Sequence, residues 1–189
     1  MKAAKAAVPR AAASEASVLL RLEIPDPSLV LLIGPSGAGK STFAARHFRP
    51  AEIVSSDRCR ALVCDDERDQ SVNRAAFGLL HHIARARLSL RRLTVIDATN
   101  LETRARRRLL RIAADCRIPA VAIAFNLPLE KCLEQNLARS PRVVEEEVVS
   151  YHARLLAPAI ERLNREGYER IYLLDETNVN DAVIERVRR

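Results

Sequence analysis

Residues 31–42 read Leu-Leu-Ile-Gly-Pro-Ser-Gly-Ala-Gly-Lys-Ser-Thr and contain three of the chain's 5 glycines. The run matches G-x-x-x-x-G-K-[ST], the pattern of a loop whose backbone N–H groups surround a polyphosphate. Glycine is needed there because a side chain would block the approach of the phosphates. In such a loop the lysine neutralises the β and γ oxygens, and the serine hydroxyl binds magnesium. We therefore predict that the nucleotide is bound by Gly34, Ser36, Gly37, Ala38, Gly39, Lys40, Ser41 and Thr42.

The residues on either side of the run give the loop its expected setting. Leu29–Ile33 is continuously apolar, which is typical of a buried parallel strand, and 41–48 reads as the opening of a helix. Strand, glycine loop and helix, in that order, are what a phosphate-binding loop requires. The alternative is a glycine-bearing turn with an incidental lysine.

Length and composition limit the class of protein. A chain of 189 residues is typical of one domain. The 4 cysteines are scattered, with no C-x-x-C pair and no histidines at zinc spacing, so neither a disulfide framework nor a zinc cage is expected. No apolar stretch approaches the roughly 20 residues of a membrane span, and the first residues lack the apolar core that a secretory signal needs. We expect a cytoplasmic protein with no membrane partner, a disordered alanine-rich tail over 1–17 (a transit peptide is the alternative), and one domain over 18–189.

The net charge of +7 is unevenly distributed. Arginines cluster on both sides of one apolar strand, at Arg85, Arg87, Arg91, Arg92, Arg104, Arg106, Arg107, Arg108 and Arg111. Such a density suits a polyanionic partner, because each arginine that meets a phosphate releases counterions. The alternative is an ordinary solvated helix face.

The sequence predicts that strands and helices alternate along the chain. We predict strands at 18–24, Leu29–Ile33, 52–54, 93–96, Ala120–Phe125 and 171–174, and helices at 41–48, 69–90, 101–116, 129–138, 143–166 and 180–187. The first strand is expected at the sheet edge, and the helix over 143–166 is expected to break near Pro158 and to end at Gly167. This alternation predicts a three-layer α/β domain around a mainly parallel sheet, with helices on both faces.

Ligands of such sheets bind beyond the carboxyl ends of the strands, and polar residues follow several of these strands. Asp57 and Arg60 share one face of a helix start, where the acid could accept a proton from a hydroxyl and the arginine could hold a phosphate of the acceptor. Asp97 is a candidate Walker B acid that binds magnesium together with Ser41. The alternatives are a helix cap for Asp57, a solvated arginine for Arg60 and a turn residue for Asp97.

Two further arginines, Arg139 and Arg142, bracket a Ser-Pro break between two predicted helices, where a mobile lid would lie. Arginines in a lid can close over the β and γ phosphates and stabilise the transition state. The alternative is that they cap helix carbonyls.

These motifs together resemble a known family. After the loop come Ser-Ser-Asp-Arg-Cys-Arg at 55–60, Asp-Asp-Glu-Arg-Asp-Gln at 65–70, Thr-Val-Ile-Asp-Ala-Thr-Asn at 94–100, Phe-Asn-Leu-Pro at 125–128 and Arg-Glu-Gly-Tyr at 165–168. Over about 18–189 the chain resembles a polynucleotide 5′-hydroxyl kinase, in particular the kinase module of the bacterial RNA-repair enzyme that joins kinase, phosphatase and ligase modules. The resemblance implies a P-loop NTPase-type sandwich with a helical lid around 135–150.

The resemblance also implies roles for individual residues. Lys40 and Ser41 would bind the phosphates and Mg²⁺ of ATP or another NTP. Asp57 would be the general base, and Arg60 would hold a phosphate of the acceptor strand. Arg139 and Arg142 would be lid arginines that contact the nucleotide, with Arg139 also catalytic. Gln135 stands where such kinases often have another lid arginine.

The leading hypothesis is transfer of the γ-phosphoryl group of ATP to the 5′-OH end of single-stranded or end-exposed RNA or DNA, in nucleic-acid repair. Phosphatase and ligase modules are expected partners if the chain is an excised domain. A kinase of a nucleoside, sugar or amino acid is the main alternative. A nucleic-acid-binding switch without transferase activity is a further alternative, but it would leave the pairing of Asp57 with Arg60 unexplained.

Overall fold

A five-stranded sheet, parallel throughout, lies at the centre of the computed structural model, which describes residues 20–138 and 143–188. The strands in chain order are β1 (Leu20–Asp26), β2 (Leu29–Ile33), β3 (Ile53–Ser55), β4 (Thr94–Asp97), β5 (Ala120–Phe125), β6 (Arg170–Leu174) and β7 (Ala182–Arg188). The helices are α1 (Lys40–His47), α2 (Ser56–Cys64), α3 (Asn73–Ser89), α4 (Thr103–Asp115), α5 (Leu129–Leu137) and α6 (Glu146–Leu163). Within the central sheet the strand order is β3-β4-β2-β5-β6.

Side chains of β2 alternate between two cores, which explains why this strand is apolar without interruption. Leu29, Leu31 and Ile33 pack with residues of α2, α3, α4 and α6 on one face. Val30 and Leu32 pack on the other face with residues of α1 and α5 and with β1 and β7. A strand buried on both faces is therefore expected to be almost continuously apolar. The predicted α/β sandwich with helices on both faces of a mainly parallel sheet is confirmed.

The position of β2 also fixes where a ligand can bind. It pairs with β4 on one side and with β5 on the other. The chain therefore leaves the carboxyl ends of neighbouring strands in opposite directions, and this divergence opens a crevice at the end of β2. The glycine-rich run begins at that end.

The two ends of the sequence fold differently from the prediction. We predict a helix over 180–187, and this is wrong: Ala182–Arg188 is a strand that pairs in parallel with β1 in a separate two-stranded sheet. Its exposure alternates along part of the strand, and Arg186 lies inward and donates to both carboxylate oxygens of Glu52 at 2.9 and 2.7 Å. Because β1 pairs with β7, it is not an edge strand of the central sheet.

Three further predictions concern helix α6, membrane spans and the N-terminal tail. Helix α6 continues through Pro158, so the break predicted at that proline is wrong. The helix ends at Leu163 with Asn164 as its C-cap, so the end predicted at Gly167 is also wrong. Among the helices of the described part of the chain, none combines the length and the apolar character needed to cross a membrane. The predicted tail over 1–17 lies outside the described residues.

Arg106 belongs to the interior and not to the basic surface in which the sequence places it. Its side chain is fully buried, and its guanidinium donates to both carboxylate oxygens of Glu166 at 2.7 and 2.6 Å. It also donates to the carbonyls of Asn100 and Leu101 at 2.9 and 2.8 Å. This one side chain thereby joins the start of α4, the loop after β4 and the segment after α6.

We expect Arg106→Gln to lower the free energy of unfolding by about 3 kcal/mol or more, because it leaves the buried Glu166 carboxylate without its partner. The control is Arg107→Gln, one residue along the same helix, where the side chain is exposed and the change should be within about 0.5 kcal/mol. Urea unfolding of both variants measures the difference. Equal stabilities would contradict a structural role for Arg106.

Candidate functional site

The carboxyl ends of three neighbouring strands form the base of the site. Leu32 of β2 is opposite Asp97 of β4, and Asp97 is opposite Ser55 of β3. Asp97 is buried and lies between the other two strand ends. Since neighbouring strands are about 4.8 Å apart, β2 and β3 are separated by about 10 Å. The phosphate loop and Asp57 follow these two strands at the same edge of the sheet, with Asp97 between them.

The conformation of the phosphate loop depends on Gly37. This residue has φ 81°, and a Cβ built on it would lie 2.1 Å from the carbonyl oxygen of Cys132 in α5. No side chain fits into that space, so the bare backbone of the loop packs directly against α5. The loop is therefore held in place by close packing against α5.

Gly39 forms the junction between the loop and α1. It has φ 79° and is the N-cap of α1, and no side chain caps the helix. The first N–H groups of a helix have no acceptor within it, and the helix dipole makes this end positive. Backbone N–H groups in this arrangement bind phosphate.

Lys40 lies at the start of α1 with its side chain turned back over the loop. The residue is buried, and its Nζ donates to the carbonyl oxygen of Pro35 at 2.7 Å. The ammonium group is thus placed across the curl of the loop, as a lysine that neutralises phosphate oxygens must be. Ser41 and Thr42, which follow, are exposed.

The loop after β4 contacts the start of the phosphate loop. The N–H of Gly34 donates to the carbonyl of Thr99 at 3.0 Å, and Nδ2 of Asn100 donates to the carbonyl of Leu32 at 2.8 Å. Asn100 is buried with φ 49°, a left-handed conformation that asparagine tolerates better than most residues. Sequence reasoning missed this role, and an asparagine shortly after a strand-end acid was the signal that could have indicated it.

His152 is a second residue that sequence reasoning missed. It lies on α6, and its Nδ1 is 3.3 Å from Oγ of Ser36 in the phosphate loop. Burial lowers the pKa of His152 below its ordinary value of 6.5, and the positive charge of Lys40 lowers it further. The imidazole is therefore neutral near pH 7 and forms a polar contact between α6 and the loop. No sequence pattern marks it, because the two residues are far apart in the chain.

Asp57 and Arg60 form an ion pair on the first turn of α2. The Asp57 side chain is 45% exposed, whereas that of Arg60 is only 9% exposed. Besides the contact of its Nη2 with Asp57, Arg60 donates from Nε to the carbonyl of Glu67 at 2.6 Å and from Nη1 to Oδ1 of Asn73 at 3.0 Å. The guanidinium is fixed on three sides, and it holds the Asp57 carboxylate at the opening of the crevice.

The predicted lid arginines, Arg139 and Arg142, lie outside the described residues. On either side of them, Asn136 and Val144 are joined by two hydrogen bonds, from Nδ2 to the Val144 carbonyl at 2.7 Å and from the Val144 N–H to Oδ1 at 3.1 Å. Gln135 faces the phosphate loop, because a Cβ built on Gly39 would lie 3.5 Å from its Oε1. Helix α5 therefore packs against the loop at Gly37 and faces it at Gly39.

Oxygen donors at the site fit a magnesium ion that is bound mainly by its nucleotide. Ser41 offers a hydroxyl and Asp97 a carboxylate, and Mg²⁺ prefers such hard oxygen ligands. Over the described ranges no group of three or more His, Cys, Asp or Glu residues could hold a metal. Mg²⁺ in nucleotide sites is commonly held by one or two protein groups, phosphate oxygens and water.

Comparison with known proteins agrees with this geometry. The sequence model of a family described as AAA domain matches residues 29–158. A chain of the Pnkp1/Rnl/Hen1 RNA repair complex is 22% identical with TM-score 0.63, over 74% of this chain and 47% of that one. This chain therefore spans about half the length of that neighbour.

Two other solved structures share the fold. A protein of the PezAT toxin-antitoxin system of Streptococcus pneumoniae is 16% identical with TM-score 0.58, over 80% of this chain and 69% of that one. A candidate kinase from Chloroflexus aurantiacus is 17% identical with TM-score 0.55, over 82% of this chain and 91% of that one. No curated protein sequence matches the chain. The fold is that of P-loop kinases.

We expect Gly37→Ala to weaken nucleotide binding and to lower the free energy of unfolding by at least about 2 kcal/mol, since the new methyl group overlaps the Cys132 carbonyl and φ is positive. Gly78→Ala is the matched control. A Cβ at Gly78, inside α3, meets no atom within 4 Å, so alanine should stabilise the helix by about 0.5–1 kcal/mol. Thermal unfolding should show a loss of stability for Gly37→Ala and a gain for Gly78→Ala. ADP titration should show weaker binding for Gly37→Ala.

His152 should make stability depend on pH. Its pKa is lowered in the folded protein, so below about pH 6.5 the unfolded chain takes up a proton that the folded chain does not, and the free energy of unfolding falls. We expect His152→Asn to reduce this loss when urea unfolding at about pH 7.5 is compared with about pH 5.5. His82→Asn, at an exposed position on α3, is the control. If both variants lose as much stability as the wild type, burial of neutral His152 is contradicted.

Proposed function

The chain belongs to the AAA domain family, and from this premise we propose that it is a polynucleotide 5′-hydroxyl kinase that transfers the γ-phosphoryl group of ATP to the 5′-OH end of RNA or DNA. The observation that carries the proposal is the half-exposed Asp57 carboxylate, which Arg60 fixes on the first turn of α2, directly after the strand that pairs with β4 at Asp97. The two strands that lead to Asp57 and to the phosphate loop, β3 and β2, are about 10 Å apart. That distance leaves room for a γ-phosphate and a hydroxyl between them.

In the proposed reaction Asp57 accepts the proton of the 5′-hydroxyl group. The 5′ oxygen forms a bond to the γ phosphorus, the bond from that phosphorus to the β–γ bridging oxygen breaks, and ADP leaves with the electron pair. Lys40 and the N–H groups at the start of α1 offset the charge on the phosphates. Magnesium, when bound through Ser41 and Asp97, would offset more of that charge. Arg139 and Arg142 are proposed to act on the same phosphates from the lid.

For Arg60 the geometry supports a role in positioning. Its contacts with Glu67, Asn73 and Asp57 hold the guanidinium within the protein. The base is thereby kept at a fixed position, which favours proton transfer because the reacting atoms must be aligned. Contact with a phosphate of the acceptor strand stays a prediction for this residue.

A polynucleotide acceptor is favoured over a small molecule by the exposed arginines of α3 and α4 and by the motifs at 55–60 and 65–70. Since one neighbour belongs to an RNA repair complex, we also propose that phosphatase and ligase modules, on the same or another chain, act on the same RNA ends. The proposed setting is the cytoplasm.

Competition between acceptors tests the function. The protein is incubated with γ-labelled ATP and magnesium, together with a 5′-OH RNA, the same RNA carrying a 5′-phosphate, and a free nucleoside. We expect label only on the 5′-OH RNA, and added salt should reduce labelling because binding involves phosphates. Labelling of the nucleoside alone would instead support a small-molecule kinase, and labelling of neither would overturn the proposal.

The role of Asp57 is tested by Asp57→Asn, which keeps the shape of the side chain but cannot take up the proton. We expect kcat for RNA labelling to fall by roughly 100-fold or more, with ADP affinity unchanged. The matched control is Asp65→Asn at the other end of α2, where Asp65 is exposed with φ 62° and asparagine is readily accepted. Near-normal labelling by Asp57→Asn would contradict its assignment as the base.

A further inference from the structure

A basic groove lies between α3 and α4, on the face of the sheet opposite α1. It has a volume of about 560 Å³ and is lined by Arg85, His81 and His82 of α3 and by Arg107, Arg108 and Arg111 of α4. We call it the α3–α4 groove. The proposed transfer chemistry uses none of these six side chains.

Positive charge dominates the α3–α4 groove. Its four arginines are all exposed, and over the described ranges no aspartate or glutamate lines it. Arg85 pairs with Asp115 at 3.1 Å, where both side chains are about half exposed and solvent weakens the pair. Burial lowers the pKa of His81 to about 4, and the positive charge of Arg108 contributes to that shift.

The lining chemistry selects a polyanion with repeated charges. Ile112 is the single large apolar side chain that lines the groove, and no tryptophan, tyrosine or phenylalanine does so in the part of the chain that is described. Protein partners commonly bury large aromatic side chains, and nucleobases stack on aromatic rings. The described residues of this lining offer no large aromatic side chain for either contact. Arg107 and Arg111 are four residues apart and therefore neighbours on one helix face. Guanidinium groups bind phosphates through paired hydrogen bonds.

The course of the two helices places the groove beside the proposed site. Both begin near the carboxyl edge of the sheet, since α3 starts at Asn73, which is bonded to Arg60, and α4 follows the end of β4. With a rise of 1.5 Å per residue, Gly78 is about 7.5 Å and Arg85 about 18 Å from the start of α3. Space above Gly78 is open, because a Cβ there meets nothing within 4 Å. The groove thus leads away from the carboxyl edge.

We propose that the α3–α4 groove binds the phosphodiester backbone of the acceptor strand, downstream of the 5′ end that reacts. The inference rests on the proposed function and deepens it, because it identifies where the body of the polynucleotide lies. Contacts with phosphates alone would make binding independent of base sequence and sensitive to salt.

Binding without ATP tests the groove independently of the chemistry. Arg108→Gln with Arg111→Gln removes two charges from the groove, and Arg91→Gln with Arg92→Gln removes two exposed charges beyond the end of α3, away from the carboxyl edge. Anisotropy of a labelled 5′-OH RNA of about 16 nucleotides is measured with the full chain at several salt concentrations. For the groove variant we expect affinity about tenfold lower at low salt and a salt slope reduced by about 1.4, as two lost phosphate contacts predict. The control should bind as the wild type does.

Phosphorylation of two acceptors separates this proposal from the proposed function. A 5′-OH dinucleotide has its one phosphate beside the reacting hydroxyl, so the groove variant should phosphorylate it normally while KM for the longer RNA rises. RNA binding that depends on the groove, without phosphorylation of either acceptor, would support the groove as an RNA-binding site and contradict the proposed kinase function. If the groove variant phosphorylates RNA with unchanged RNA affinity and an unchanged KM for the longer RNA, the groove proposal is contradicted and the proposed kinase function is not.

Three further outcomes would also contradict the proposal that the groove binds RNA. These are equal losses in the groove and control variants, no RNA binding by the wild type, and displacement of RNA by polyglutamate as effectively as by unlabelled RNA, which would indicate an acidic protein partner. Thermal unfolding confirms that the variants fold, which their exposed positions lead us to expect.

Discussion

The close approach of Gly37 to α5 is the constraint on which the site depends. The N–H groups that such a loop presents to phosphates are not available to hold it in place, so its position depends on its other contacts. Here the backbone of Gly37 packs against the Cys132 carbonyl, the loop after β4 bonds Gly34, and His152 contacts Ser36. Three separate elements therefore hold the loop open before a nucleotide binds, which reduces the ordering that binding requires.

Local patterns in the sequence were sufficient for the centre of the fold. Leu29–Ile33 and Ala120–Phe125 form strands with the predicted bounds, because continuous burial on both faces leaves a signal within each segment. The prediction of a helix over the last strand is wrong because the partner of this strand, β1, lies at the other end of the chain. Strand formation depends on such neighbours more than helix formation does.

In the candidate site, too, local patterns mark some residues, whereas contacts between distant segments place the others. Spacing indicated the phosphate loop, Asp57 and Asp97, whereas the buried contacts of His152 and Asn100 come from distant segments and have no local signature. Arg106 cannot be told from Arg107 or Arg108 by sequence, yet Glu166 draws it into the interior while the other two stay exposed. Burial of a charge is decided by the partner that the fold brings to it.

The central claim is that the phosphate loop and Asp57 are the two sides of one reaction site. It is tested most directly by a crystal structure of the full chain with magnesium, a non-hydrolysable ATP analogue and a short 5′-OH oligonucleotide. We expect the 5′ oxygen within about 3 Å of the Asp57 carboxylate and in line with the γ-phosphate, as proton abstraction and transfer require. A 5′ end bound away from Asp57, with the nucleotide in the loop, would contradict the claim.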